Sequence, residues 1–130
     1  MFADTTLLVD FLRGEKRAVE FIEKRQWLPL FTSEINAFEL IDGVYASGAA
    51  IPTRLEKVLA LLSKMVVLPF DRKSALKAGL VSGTLAREGK KIGETDCLIA
   101  GVALANGLQE IVTENKSHFE RIKGLKVVSY

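Results

Sequence analysis

Short apolar runs alternate with stretches of helical spacing from one end of this chain to the other, and that alternation restricts the fold more than any other feature. Met1-Phe2-Ala3 reads as a very short strand ending at Asp4, Trp27–Phe31 as a second and Met65–Phe70 as a third, with Ile111–Thr113 and Val127–Val128 as the last strands. Between them, Thr5 or Thr6 is placed to cap a helix carrying Leu7, Leu8, Phe11 and Leu12 up to Gly14, and Lys16–Gln26 keeps Val19, Phe21 and Ile22 among charges. Ser33 is placed to cap a helix through Ile35, Phe38, Leu40, Ile41 and Val44 to the break at Ser47-Gly48. Pro52 then opens another helix with Leu55, Val58, Leu59 and Leu62, giving a helical hairpin, and Ser74–Arg87 and Glu94–Asn106 complete the set. Strands alternating with helices predict a single α/β domain over residues 1–130, built on a mainly parallel sheet with right-handed crossovers. In such sheets ligands gather beyond the carboxyl ends of strands, near a switch in strand order. Asp4 and the Thr113–Asn115 turn both fall there.

Composition narrows the class without naming a function. A chain of 130 residues, 48% hydrophobic and 26% charged, has the make-up of a globular domain able to bury a core. A formal charge of +2 neither requires nor excludes nucleic acid, because an enzyme acting on it need only gather its Lys and Arg around one groove. The lone cysteine, Cys97, rules out an internal disulfide framework. Asp4 stands where a secretory signal needs an apolar run, and the apolar stretch Cys97–Ala105 is too short to span a bilayer, so a cytoplasmic location is expected.

Asp4, Glu39, Asp96 and Asn115 stand out because each lies where an apolar segment meets a turn or where a helix reads as buried. An ionised carboxylate in apolar surroundings costs several kcal/mol unless it is paired, neutralised or bound to metal. Each residue alone also has an ordinary explanation. Asp4 can cap the following helix. Glu39 can form an internal ion pair or reach the surface past Ile35, Phe38 and Asp42. Asp96 sits in a first helical turn, where the helix dipole favours it by roughly 0.3–1 kcal/mol. Asn115 can close an Asx-turn after a strand. Taken together the four point to one shared cation site.

These residues also lie in motifs that resemble a known family. Asp4-Thr5, Glu39-Leu40, Gly93-Glu94-Thr95-Asp96-Cys97-Leu98-Ile99-Ala100 and Ile111-Val112-Thr113-Glu114-Asn115, followed by Phe119, Ile122 and Gly124-Leu125, resemble the PIN-domain ribonucleases over nearly the whole chain. In length, in Phe11-Leu12-Arg13-Gly14 and in the Phe119–Val127 ending, the chain is most similar to the VapC-type toxins of toxin-antitoxin pairs. The resemblance implies a three-layer α/β/α domain, a metal-dependent endoribonuclease using Mg2+ or Mn2+ and a small antitoxin as partner, while the apolar helices from Ile35 to Leu62 can supply a homodimer surface or simply pack the core. It implies Asp4, Glu39 and Asp96 as acidic metal ligands, with the fourth acidic position falling on Asn115, whose amide oxygen is neutral. Three carboxylates and an amide suit one magnesium ion, which prefers octahedral oxygen coordination and keeps several waters. Glu94 or Glu114 can restore the missing charge, although a first-turn dipole residue and a solvated turn explain them equally well. Thr6 and Thr113 offer hydroxyls to orient a ligand or water, or simply to cap and close turns.

Metal-activated water attacking in line would leave a 5′-phosphate and a 3′-hydroxyl, and with His118 as the sole histidine this route is more economical than one driven by histidine. Arg13, Lys16, Arg17, Arg87, Lys90 and Lys91 are candidates for phosphate contacts, Lys90-Lys91 the foremost, or else they keep helix faces solvated. Exposed RNA loops suit such a groove better than a closed A-form helix. The competing readings are a catalytically inactive PIN-like domain that binds RNA or protein, a thiol hydrolase built on Cys97 and His118, and a phosphoacyl transferase using Asp4. The last lacks the second Asp it requires, because Thr6 occupies that position.

Overall fold

The computed structural model describes all residues 1–130. In chain order the elements are β1 Phe2–Ala3, α1 Thr5–Leu12, α2 Lys16–Glu23, β2 Phe31–Ser33, α3 Glu34–Ser47, α4 Ile51–Ser63, β3 Val66–Leu68, α5 Arg72–Arg87, α6 Glu94–Ala105, β4 Glu110–Val112, α7 Lys116–Phe119 and β5 Lys126–Val128. The strands form one sheet in the order β3-β2-β1-β4-β5, and every pairing is parallel. The expected α/β class with a parallel central sheet is what the chain adopts.

Such short strands specify layers because successive residues face opposite sides of the sheet. Phe2 and Ile111 join a core with Val81, Leu85, Ile99, Val102 and Phe119 from α5, α6 and α7. Their neighbours Ala3 and Val112 face the other way, into a core with Leu7, Leu8, Phe21, Leu40, Val44 and Val58 from α1 to α4. The result is a three-layer α/β/α arrangement. Chain direction turns outward from β1 to β2 on one side and to β4 on the other, so the switch point lies at the carboxyl ends of β1 and β4.

The hairpin from Ser33 to Ser63 follows the sequence closely. Ser33 caps α3 in a full capping box with Asn36, Gly48 ends the helix in the left-handed region, and Pro52 sits in the first turn of α4. Several boundaries differ from expectation, three of them for a clear physical reason. The second strand begins only at Phe31, because Lys24–Leu28 continues α2 as successive turns and Pro29 can donate no ladder hydrogen bond. Trp27 is left 78% exposed. The amide of Phe31 instead pairs with the Met1 carbonyl and that of Val66 with the Leu30 carbonyl, which fixes the register four residues further on. The helix expected from Ser74 begins at Arg72, capped by Asp71. At α1 the N-cap position belongs to Asp4 itself, which makes no side-chain capping bond.

One close approach holds a whole layer together. A Cβ added at Gly101 would meet Ala78 Cβ at 2.6 Å, Ala78 N at 2.7 Å and the Ser74 carbonyl at 2.7 Å, so α5 and α6 pack at a distance only glycine permits. No helix is long and apolar enough to cross a membrane.

Candidate functional site

Asp4 is placed by β1 and by the donation of its amide to the Val112 carbonyl at 3.0 Å, and it is 3% exposed. Its carboxylate faces inward between two donors. Thr113 Oγ1 donates to Oδ2 at 2.6 Å, and Asn36 Nδ2 donates to Oδ1 at 3.2 Å. Burial pushes its pKa from 3.8 to about 6, against the pull of the Thr113 and Thr5 hydrogen bonds and with help from the negative charges of Asp96 and Glu39. The missing capping bond at α1 is thereby explained: the side chain is engaged across the sheet.

Glu39 comes from α3 and lies half-buried beside this group. Thr5 Oγ1 donates to Glu39 Oε1 at 2.7 Å while accepting from Asn36 Nδ2 at 2.9 Å. Its pKa is raised by burial, opposed by the Thr5 hydrogen bond, and raised further by Asp96. The helix around it is less enclosed than its sequence suggested, since Phe38 is 63% exposed and Asp42 is also exposed. Glu39 thus sits at the mouth of the site.

Asp96 occupies the first turn of α6, whose buried Ile99, Val102 and Ala103 fix the helix against the sheet while Leu98 and Leu104 are half-buried. Its Oδ2 receives Asn115 Nδ2 at 3.0 Å and meets His118 Nδ1 at 2.6 Å. Asn115 is held in turn by its amide, which donates to Thr113 Oγ1 at 2.9 Å. Thr6 lies 3.2 Å from Thr113 through their hydroxyls and accepts from the Glu114 amide at 3.0 Å. Asp4, Glu39, Asp96 and Asn115 are therefore gathered at one end of the sheet, with Thr6 and Thr113 among them.

Other expected participants direct no side-chain bond to these carboxylates. Glu94 is exposed and forms no hydrogen bond or ion pair, and Glu114 directs its carboxylate to Arg17 at 4.0 Å. Lys90 and Lys91 have exposed side chains, and their carbonyls accept from Arg121. Cys97 is buried, with its thiol pushed up by burial and by Asp96 and Glu94, while His118 bonds to Asp96 instead; no thiol-imidazole pair exists. Three contributors escaped the sequence reading: Asn36, Thr5 and His118 in its role beside Asp96. Asn36 had a local signal, because it stands three residues after the capping Ser33. His118 had none, since it meets Asp96 across 22 residues.

No three Asp, Glu, His or Cys side chains stand as a ready-made ion cage in the conformation shown. The donor set nonetheless suits a divalent cation. Asp4 and Glu39 are each pushed toward neutrality by burial first and by the charge of Asp96 in addition, and no Lys or Arg forms an ion pair with any of the three. Oxygen donors with an unmet need for positive charge are the ligands that hard cations take.

The chain belongs to the PIN-domain family: the sequence model of that family matches residues 1–125. It is 40% identical over 96 residues to the protein named tRNA(fMet)-specific endonuclease VapC of Salmonella typhimurium strain LT2, covering 73% of this chain and 70% of that one. It is 33% identical over 99 residues to Ribonuclease VapC2 of Haemophilus influenzae strain Rd, covering 75% and 73%. Among solved structures, DNA-bound VapBC from Salmonella typhimurium superposes with a TM-score of 0.89 at 30% identity, over 98% of this chain and 96% of that chain. Within the family the chain falls among the VapC-type ribonucleases of toxin-antitoxin pairs.

Proposed function

We propose that this VapC-type protein cleaves RNA phosphodiester bonds with a bound Mg2+ or Mn2+ held by Asp4, Glu39 and Asp96. One observation carries the reading: a carboxylate 3% exposed and pushed up to about 6 lies beside two more, with no Lys or Arg paired to any of them, at the switch point of a parallel sheet. A bound ion would supply a water of lowered pKa and counter the charge that develops on the phosphate. The remaining work belongs to the chain. Thr113 and Asn36 fix Asp4, Thr5 fixes Glu39, and Asn115 with His118 fixes Asp96. Asn115 serves here as a donor that orients Asp96, which an amide does as well as a ligand would.

The substrate is a structured RNA with an exposed loop, and transfer RNA is the first class to try, given the name of the Salmonella relative. A small antitoxin is the partner that restrains the enzyme, a reading supported by the chain's likeness to the VapBC structure from Salmonella typhimurium. The protein is placed in the cytoplasm. Phe38 and Tyr45 of α3 and Leu59 of α4, 63%, 56% and 51% exposed, support self-association as a homodimer, which sedimentation at micromolar concentration would show or refute.

Incubation of antitoxin-free protein with a tRNA pool should give discrete cuts bearing 5′-phosphates with either metal, and none with EDTA or in Asp96→Asn. Cyclic phosphate ends would overturn the mechanism. The second reading, an inactive binding scaffold, draws on Asn115 at the fourth acidic position. Equal inactivity of folded wild type and Asp96→Asn on a broad RNA panel would favour it.

A further inference from the structure

A cleft of about 310 Å³ opens beside Glu39, between α1, α3 and α4. Leu40, Val44 and Val58 form its buried floor, and Arg13, Arg54 and Lys57 stand on its rim. Glu39 is the one acid that lines it. Arg54 and Lys57 lie three residues apart on α4, hence on one face of that helix, and Arg13 closes α1 opposite. None of the three forms an ion pair, and the Arg54 guanidinium bonds only to the Ser47 hydroxyl and the Ala49 carbonyl at the cleft edge. Those bonds aim a cation without neutralising it.

Arg17, a basic residue near the carboxyl-end turn of β4, contrasts with these. Arg17 is engaged by Glu15 at 3.3 Å and by Glu114 at 4.0 Å. Lys90 and Lys91 sit on the loop before α6, tied by their carbonyls to Arg121. Their ammonium groups stay exposed and free, so they remain candidates for phosphate contacts. Arg13 remains, while Arg54 and Lys57 join it from a helix that the sequence reading treated only as core.

We propose that the cleft formed by Arg13, Arg54 and Lys57 is the lane along which the RNA backbone leaves the Glu39 side of the active centre. The inference rests on the ribonuclease reading and deepens it by locating the substrate. Continuity with Glu39 favours a polynucleotide: a strand whose scissile phosphate lies at the three carboxylates and that leaves on the Glu39 side enters this cleft, where unpaired cations suit successive phosphates. Guanidinium groups in addition donate two parallel N–H bonds to phosphate oxygens.

The test is salt-dependent binding of labelled tRNA in EDTA, where no cleavage intervenes, to wild type, to Arg13→Gln/Arg54→Gln/Lys57→Gln and to Lys73→Gln/Lys77→Gln on α5, in the opposite helical layer. All five positions are exposed, so circular dichroism should match throughout. Each lost contact to unpaired RNA removes about 0.7 from the slope of log affinity against log salt, so the triple variant should lose about 2. Between 50 and 200 mM salt, its affinity would then fall on the order of 15-fold less than that of wild type. The double variant should keep the wild-type slope. An unchanged slope in the triple variant, with wild type cutting tRNA in Mn2+, overturns the lane while leaving the ribonuclease intact. Wild type that neither cuts nor binds RNA overturns both. Loss of polyglutamate binding with RNA binding retained would assign the cleft to an acidic protein partner and likewise overturn the proposal.

Discussion

Replacing Asp4 by Asn should make the metal-free protein more stable at neutral pH while abolishing cleavage. An acid whose pKa is higher in the folded state holds its proton more readily when folded. Unfolded Asp4 ionises near 3.8 and folded Asp4 near 6, so folding stability falls as pH climbs between those values and the full cost persists above them. At 1.36 kcal/mol per pH unit the cost is about 3 kcal/mol at pH 7.5. Asn removes the charge and keeps the bonds. Its amide oxygen can accept from Asn36, and its NH2 can donate to Thr113 if that hydroxyl turns to donate to Thr6, 3.2 Å away. Urea denaturation in EDTA should show Asp4→Asn about 3 kcal/mol more stable at pH 7.5, or about 10 °C in Tm for a chain of this size. The advantage should shrink through pH 6 to 4 and vanish below. Asp4→Ala should lack it, because Asn36 and Thr113 lose their acceptor. A variant less stable than wild type at pH 7.5, or an advantage unchanged at pH 4, would refute the reasoning.

Other consequences follow from single contacts. His118→Ala removes one of two polar partners from Asp96 Oδ2 and should lower Mn2+ affinity and RNA cleavage about 10-fold or more with little change in Tm, whereas His118→Asn, which keeps a short donor, should recover part of both. Asn36→Ala breaks the capping box and the clasp on Asp4 and Thr5 together; urea unfolding should register about 2–4 kcal/mol lost. Gly101→Ala should cost about 3 kcal/mol or prevent folding, read by thermal melts, and adding Ala78→Gly should recover little, because two of the three clashes are with backbone.

The architecture was legible because its signals are local. Ser33, Gly48 and Pro52 announce their helix ends through capping chemistry that needs no tertiary partner. The second strand was misplaced because Trp27–Phe31 is apolar enough for a strand, yet hydrogen bonding to Met1 and Val66, set by the whole sheet, decides where pairing starts. α7, Lys116–Phe119, is too short to show any period. At the site, the carboxylates were visible as charges in apolar context. The hydroxyls and amides that hold them were not, since Thr113 reaches Asp4 across 109 residues and Asn36 across 32. The same distance effect hid the basic cleft: Arg54 and Lys57 look like ordinary solvated positions until α4 folds beside Arg13.

Mn2+ titration followed by electron paramagnetic resonance, on wild type and on Asp4→Asn, Glu39→Gln and Asp96→Asn, tests the shared cation site most directly. Wild type should bind an ion that each substitution weakens about 10-fold or more, all four proteins remaining folded. Binding that survives any one of the three substitutions unchanged would remove that residue from the site, and survival in all three would contradict the account.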